Sequence, residues 1–144
     1  MSGIVREPEP RDLVHVTRYA IDWAKLVDEQ HDQPQRTERL RGRKDWAAEH
    51  LFNDHPNRRV LVAEQGGRTV GYIFGTVENN KTGWIREIYV DEFYRREGIG
   101  TKLMESIRSW MESQSINSIH VNIPDSYGRE FFQTFDDLTI HAVH

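Results

Sequence analysis

RREGIGT, at residues 95–101, lies between a predicted strand and the longest predicted helix of the chain. Gly98 and Gly100 allow the backbone to adopt positive φ and to approach a ligand closely. The helix after them offers N–H groups without intrahelical acceptors and the positive end of its dipole, which favour an anion such as a pyrophosphate. Arg95 and Arg96 add positive charge at the same place. The simpler alternative is that Gly98 merely begins a helix, because Gly-x-Gly alone is weak evidence.

Two common phosphate-binding motifs do not fit this stretch. A P-loop ends in Gly-Lys-Ser/Thr, whereas Gly100 is followed by Thr101 and then Lys102. The dinucleotide fingerprint needs a third glycine, and Leu103 occupies that position. A nucleotide-binding α/β domain is therefore the weaker reading of the glycine pair.

Hydrophobic periodicity around this stretch predicts the element order β-α-α-β-β-β-α-β-α-β. The strands are expected at 4–5, 59–64, 69–77, 84–90, 118–123 and 138–143, and the helices from Asp12 as N-cap, around 46–51, from Ile99 and around 127–135. The polar stretch 28–43, which contains Pro34, predicts a loop with at most frayed helix ends. Strands joined by tight turns should be antiparallel, whereas the unit 84–123 should be parallel with a right-handed crossover. We therefore predict an α/β (α+β) protein with a mixed central sheet of about six strands, flanked by about four helices on both faces.

Composition limits the class of protein. The 144 residues are about one domain's length, so we expect a single domain over 1–144. The absence of cysteine excludes a disulfide scaffold, a thiolate zinc site and a cysteine nucleophile, and fits the cytoplasm. A net charge of -4 argues against a nucleic-acid partner. No run of about 18 apolar residues or signal-like N-terminus is present, which argues against a membrane partner.

Residues 87–91 (EIYVD) and 95–104 (RREGIGTKLM) together resemble the acyl-CoA-binding signature of the GNAT superfamily of N-acetyltransferases. That signature is Gln/Arg-x-x-Gly-x-Gly/Ala after a bent strand, and Arg95, Gly98 and Gly100 match it. The element order is similar over about residues 3–143. The resemblance implies the GNAT fold, acetyl-CoA as cosubstrate and a primary amine of a small molecule or protein as acceptor.

The resemblance also implies how the cosubstrate would bind. The pyrophosphate would lie against the backbone of the loop and helix start, which comprise Arg96, Glu97, Gly98, Ile99, Gly100 and Thr101. Backbone groups of Ile88 and Val90, on either side of Tyr89, would pair with the pantetheine arm as an additional strand would. The arm would enter a gap where the strand ending at Val90 parts from the strand beginning near Ile119.

Acetyl transfer requires a neutral amine, so a base must first remove a proton. Glu87 is the first candidate, since a carboxylate among apolar neighbours has a raised pKa and the pattern places it on one strand face with Ile85 and Tyr89. The alternative is an ion pair with Arg86 or Arg59. His120 is the second candidate base, with a half-buried strand histidine as its alternative.

The proton donor to the leaving thiolate is where the chain departs from the family pattern. Alignment places Phe132 where many members have a tyrosine, and Asp125 where they have an asparagine, with Asn122 nearby. Tyr127 is the candidate replacement acid; otherwise water protonates the thiolate. The departure leaves open a second class of function, an acyl-CoA-binding or sensor module with weak or no catalysis.

Three further expectations concern ligands and partners. We expect no metal, because His141 and His144, three apart on a strand, point to opposite faces. Asp28 and Glu29, with Trp23 and Trp46, either line a pocket for a cationic amine or belong to the core and a solvated face. A homodimer is possible, because only one strand's worth of residues follows the last predicted helix and an open sheet edge invites pairing.

Overall fold

The computed structural model describes residues 3–31, 41–124 and 128–143, with side chains from 27 to 31, at 123–124 and at 142–143 left undescribed. Within these ranges the strands are β1 (Ile4–Arg6), β2 (Arg58–Gln65), β3 (Arg68–Val77), β4 (Thr82–Val90), β5 (Ser118–Pro124) and β6 (Leu138–Val143). The α-helices are α1 (Leu13–His31), α2 (Arg43–Phe52), α3 (Ile99–Ser113) and α4 (Arg129–Gln133).

The six strands form one mixed sheet in the order of the chain, β1 to β6. The pairs β1–β2, β2–β3 and β3–β4 are antiparallel, and the pairs β4–β5 and β5–β6 are parallel. The predicted mixed six-stranded sheet is therefore confirmed, including the parallel unit that α3 connects. Among the described residues, β1 and β6 are the edge strands, and the homodimer stays a prediction.

Helices cover both faces of the sheet, as predicted. On one face the apolar stripe of α3, with Phe132 of α4, packs on β2 to β5; its buried members are Ile99, Leu103, Met104, Ile107 and Met111. On the other face α1 and α2 bury a second cluster that includes Val16, Tyr19, Ala47 and Leu51. Because strand side chains alternate between faces, the central strands β2, β3 and β4 contribute to both clusters. None of the described helices is long and apolar enough to cross a membrane.

Two expectations for α1 are wrong. A 3-10 turn, Pro10–Asp12, precedes the helix, so the cap position falls at Glu9 and not at Asp12. Proline favours the first helical position, which explains the earlier start. The helix also continues to His31, past Asp28, where a loop was expected. Residues 28–31 contain neither glycine nor proline, so nothing in the backbone stops the helix there.

A β-bulge in β4 changes the face on which Glu87 lies. Gly75 of β3 pairs with Ile85 and the adjacent Phe74 pairs with Glu87, so Arg86 is an extra residue. Ile85 consequently packs beneath α3, whereas Glu87 and Tyr89 face the side of α1 and α2. The prediction that Glu87 shares a face with Tyr89 is therefore right, and the prediction that it shares one with Ile85 is wrong.

Asp12 is fully buried and joins three parts of the chain. Its carboxylate accepts hydrogen bonds from Arg6 of β1 at 2.8 and 3.0 Å, from the Thr69 hydroxyl of β3 at 2.6 Å and from the Glu9 amide at 2.6 Å. Burial would raise the pKa of Asp12, but these donors outweigh it and hold the pKa below its usual value. The carboxylate is therefore charged in the folded protein at neutral pH.

Asp12→Asn should destabilise the fold at pH 7 by about 2–3 kcal/mol, because the partly buried Arg6 guanidinium loses one of its charged acceptors and keeps Glu64. Since the folded-state pKa lies below the unfolded value, the contribution of Asp12 is complete above pH ~4 and is lost as pH falls through the folded pKa. In urea unfolding, the difference between wild type and variant should shrink towards acid pH. The matched change at exposed Glu7, Glu7→Gln, should cost under about 1 kcal/mol; a pH-independent difference for Asp12→Asn would contradict this account.

Candidate functional site

A cleft of about 340 Å³ opens at the N-terminus of α3, on the face of the sheet that α3 and α4 cover. Its lining residues come from β4, from the loop before α3, from α3 itself and from the start of α4: Ile88, Val90, Tyr94, Arg95, Arg96, Gly98, Ile99, Gly100, Thr101, Gly128 and Phe131. The structure thus brings together eight of the ten residues predicted to bind the cosubstrate, namely all except Tyr89 and Glu97.

Tyr89 and Glu97 point elsewhere. The Tyr89 ring stacks on Tyr19 of α1 with centroids 5.6 Å apart, on the opposite face of the sheet. Glu97 is exposed and accepts a hydrogen bond from the Gln65 side chain at 3.3 Å. The backbone of Glu97 belongs to the loop that borders the cleft, which is the role that the resemblance assigns to it, whereas Tyr89 pairs with Tyr72 of β3.

The loop before α3 turns through two left-handed residues. Arg96 has φ 66°, although it is not glycine, and Gly98 has φ 81° at the N-cap position. The amide of Lys102 donates to the Gly98 carbonyl at 3.1 Å, which closes the first turn of the helix. The amides of residues 99–101 precede that bond and stand at the positive end of the helix dipole. This end of the cleft is suited to an anion.

Gly98 and Gly100 are glycines for different reasons. A Cβ on Gly98 would meet nothing within 4 Å, so its requirement is the left-handed backbone. A Cβ on Gly100 would lie 3.1 and 3.2 Å from two atoms of the Phe131 ring, so its requirement is the close approach of α4. Phe131 is half-buried and forms a wall of the cleft.

The parallel pairing of β4 with β5 ends partway along β4. The paired residues run from Thr82–Ser118 to Ile85–Val121, whereas β3 remains paired with β4 as far as Val90. The Asp91 amide donates to β3, to the Val70 carbonyl at 2.8 Å. Because hydrogen-bonding direction alternates along an antiparallel strand, the N–H and C=O groups of Ile88 and Val90 point into the gap beside β5.

Arg95 is fixed at the mouth of the cleft. Its Nε donates to the Val90 carbonyl at 2.9 Å, and its guanidinium lies 5.1 Å from the centroid of the Tyr89 ring. The positive charge that the sequence placed near the helix is therefore held by β4 itself. The same bond engages the Val90 carbonyl, one of the backbone groups beside the gap.

Glu87 lies just beyond the last β4–β5 pair, on the opposite face from the cleft. It is buried. Its Oε1 accepts a hydrogen bond from the Tyr72 hydroxyl at 2.6 Å and forms an ion pair with Arg43 Nη2. Burial raises the pKa of Glu87, while Arg43 and Tyr72 act to lower it. Burial and the nearby carboxylate raise the pKa of Tyr72 well above its usual value, so Tyr72 remains a hydrogen-bond donor.

The alternative partners considered for Glu87 are wrong. Arg86 pairs with Glu78 at 3.0 Å, and Arg59 pairs with Glu7 at 2.9 Å. Arg86 is the extra residue of the bulge, and its side chain donates hydrogen bonds to Thr76 on β3 and to Glu78 just after β3. The actual partner, Arg43, is the first residue of α2 and ends the polar stretch 28–43 that predicts a loop.

His120 lies on β5 opposite Trp84 of β4, on the same face as Glu87. Its ring stacks on Trp84 with centroids 4.9 Å apart, its Nδ1 is 2.9 Å from His141 Nε2, and its Nε2 is 3.0 Å from the Ser118 hydroxyl. Both ring nitrogens thus have partners in the protein. Its role as a base stays a prediction.

The predicted proton donor falls outside what the structure describes. Tyr127 and Asp125 are not among the described residues, nor are the His144 terminus and the side chains of Asp28 and Glu29. Phe132, aligned with the family tyrosine, is 1% exposed and packs in the core, so it does not line the cleft. No group of three or more metal-ligating side chains was found within the described ranges.

Comparisons with known proteins agree with this fold. The model of the acetyltransferase (GNAT) family matches residues 18–135. An uncharacterized N-acetyltransferase of Archaeoglobus fulgidus is 32% identical over 85 residues, 54% of this chain and 58% of that protein. The chain thus spans about 58% of the length of that curated relative.

Two solved structures superpose over most of the chain. The PaiA N-acetyltransferase of Thermoplasma acidophilum, in complex with coenzyme A, has a TM-score of 0.73 and 17% identity over 93% of this chain and 88% of that one. The ribosomal-protein-alanine N-acetyltransferase of Brucella melitensis biovar Abortus 2308 has a TM-score of 0.69 and 18% identity over 99% and 95%. At these identities the likeness confirms the predicted GNAT fold.

The two glycines give a stability prediction that separates their roles. Gly98→Ala should cost about 1 kcal/mol through left-handed strain, and Gly100→Ala should cost at least as much through its contact with Phe131. Phe131→Leu should relieve the second change but not the first. In urea unfolding, the cycle of Gly100→Ala with Phe131→Leu should couple by about 0.5–1 kcal/mol, whereas Gly98→Ala with Phe131→Leu should be additive within about 0.5 kcal/mol. Equal coupling in both cycles would contradict the assignment.

Proposed function

The chain belongs to the acetyltransferase (GNAT) family, and from that premise we propose that it is an N-acetyltransferase that transfers an acetyl group from acetyl-CoA directly to a primary amine. One observation carries the proposal: the cleft at the N-terminus of α3 borders the gap between β4 and β5, and Glu87 stands at that gap on the other face of the sheet. A cosubstrate and an acceptor can then approach from opposite faces.

The cleft fits an acyl-CoA in two respects. Its anion-binding end has the helix amides of residues 99–101, with Arg95 and Arg96 in the lining. Its apolar walls, Ile88, Val90 and Phe131, suit the pantetheine arm, and the backbone of Ile88 offers it a strand to pair with. Open space in front of Gly98 leaves room for the pyrophosphate. Acetyl-CoA supplies the activated acyl group.

Glu87 is the proposed base. A buried carboxylate with a raised pKa is a better proton acceptor than an ordinary glutamate, and the Tyr72 hydroxyl fixes its orientation. The acceptor ammonium gives one proton to Glu87, and its neutral nitrogen then forms a bond to the acetyl carbon. As the C–S bond breaks, the nitrogen loses a second proton, which passes through water to the departing thiolate. A backbone N–H of β4 in the gap can stabilise the oxyanion.

A second candidate function is an acyl-CoA-binding module without turnover. The observation that favours it is that the position of the family tyrosine is Phe132, buried in the core, so α4 provides no hydroxyl there. The two candidates make the same prediction for binding of CoA and opposite predictions for thiol release.

Glu87→Gln should lower kcat for acetyl transfer by at least about 100-fold, the scale of a general base, while CoA affinity changes less than about twofold. Because the base must be charged, wild-type kcat/KM should rise with pH through a pKa above the ordinary glutamate value, and this limb should vanish in the variant. Thiol release from acetyl-CoA against a panel of primary amines measures the rate, and titration calorimetry measures CoA binding.

Glu78→Gln is the matched control. Glu78 is an exposed glutamate in the turn that joins β3 to β4, and its ion pair with Arg86 is solvated. It should retain full activity. Saturable CoA binding by the wild type with no thiol release on any amine would establish the binding module instead. Absence of CoA binding would reject both candidates.

A further inference from the structure

The partner of Glu87, Arg43, is held in an aromatic setting. Arg43 is the first residue of α2, and its guanidinium carbon lies 4.1 Å from the centroid of the Trp46 ring and 5.6 Å from that of the Trp23 ring of α1. Its side chain is only 12% exposed. A planar cation thus contacts two indole rings and a buried carboxylate, the arrangement by which proteins bind organic cations.

Trp46 and Glu87, two of the groups around Arg43, are also held by contacts with other residues. The Trp46 ring meets the edges of Phe74 at 5.4 Å and Tyr72 at 6.3 Å, and stacks on His50 at 4.7 Å. His50 in turn donates from Nδ1 to the Trp46 carbonyl at 2.8 Å. Tyr72, fully buried, holds the Glu87 carboxylate by the 2.6 Å bond. We therefore expect the pocket to persist when the Arg43 side chain leaves it.

Arg43 itself is incompletely satisfied in that pocket. Its Nε is buried and has no hydrogen-bond partner among the described residues. Its position at the start of α2 also places a positive charge at the positive end of a helix dipole, with Lys44 beside it. Both features weaken the hold of the pocket on its resident cation, and a ligand that lacks them can compete with it.

We propose that Trp23, Trp46 and Glu87 form a cation cage for the acceptor, and that Arg43 occupies it as an internal competitor that the acceptor displaces. The proposal deepens the proposed function and rests on it, because the bound cation is an acceptor only if the protein is an acetyltransferase. The ligand class is an organic cation, an alkylammonium or alkylguanidinium group on a slim chain. Neutral and anionic amines have no means of displacing Arg43 from Glu87.

The arrangement also links selection to chemistry. While Arg43 is in place, its ion pair neutralises the proposed base. An ammonium that replaces Arg43 brings its own proton to the same carboxylate, and that proton is the one that Glu87 must accept. Only a cationic ligand can take the place of Arg43 in the ion pair with Glu87 and so free the base. Arg43 therefore acts on the choice of acceptor and not on the acetyl group.

Binding of ethylguanidinium to the full-length protein tests the cage without any turnover. Arg43→Met keeps an apolar stem and removes the competing cation; it should bind ethylguanidinium at least about tenfold more tightly than the wild type, by titration calorimetry at pH 8. Arg43→Lys retains a cation in the cage and should bind no better than the wild type. Neutral ethylurea should not bind to any of the three.

Two controls keep the result interpretable. Lys44→Met removes the neighbouring exposed cation and should behave as the wild type, which excludes a general effect of net charge. Adding Glu87→Gln to Arg43→Met should abolish the gain, and thermal unfolding monitors the fold of each variant. If Arg43→Met fails to fold, Arg43→Gln takes its place with the same expectation. No gain for a folded variant, or an equal gain for Lys44→Met, would overturn the cage.

The proposal and the function on which it rests can fail separately. Tight binding of ethylguanidinium by Arg43→Met together with no acetyl transfer would leave a cation site on a protein that is not this enzyme. Acetyl transfer with no gain in cation binding would leave the enzyme and remove the cage. If both hold, alkylammonium acceptors should show a KM lower by about tenfold or more in Arg43→Met than in the wild type.

Discussion

One additional residue in β4, Arg86, determines which chemistry each face of the sheet presents. Past the bulge, Ile88 and Val90 face the cleft at α3, while Glu87 faces α1 and α2. The parting of β4 from β5 begins at the same place, so the carboxylate and the cleft border one gap from opposite sides. A strand of regular alternation would have directed Glu87 into the apolar cluster beneath α3, away from Arg43 and from the Tyr72 hydroxyl.

The charge of Glu87 depends on contacts that come from two separate parts of the chain. Burial penalises the carboxylate, and Tyr72 of β3 and Arg43 of α2 compensate in part. A buried ion pair contributes little net stability compared with an apolar substitute, because desolvation offsets the attraction. Under the proposed function, the Glu87–Arg43 pair serves the chemistry of the site. The Arg6–Asp12 pair instead joins β1 to the start of α1 and to β3.

Much of the fold was predictable because it depends on local periodicity. The stripe of Ile99, Leu103 and Ile107 indicated α3, and the glycine pair before it indicated the anion-binding turn. The bulge was not predictable, since residues 85–88 (IREI) read equally well as a regular strand. Arg43 was missed because its partner is 44 positions away and because it precedes the first apolar residue of α2, Trp46. The contact of Phe131 with Gly100 was not predictable for a similar reason. Periodicity indicates which helix face is apolar, but not which distant residue that face contacts.

The alternating hydrogen-bonding direction of β4 makes two populations of amides within one strand. Those of Tyr89 and Asp91 point to β3, whereas those of Ile88 and Val90 point into the gap. Exchange with solvent deuterium should therefore be slow at one residue and fast at the next along this stretch. A ligand that lies in the gap as an additional strand would slow only the second population. Every other amide of a single strand then reports on occupancy, while its neighbours report on the stability of the sheet.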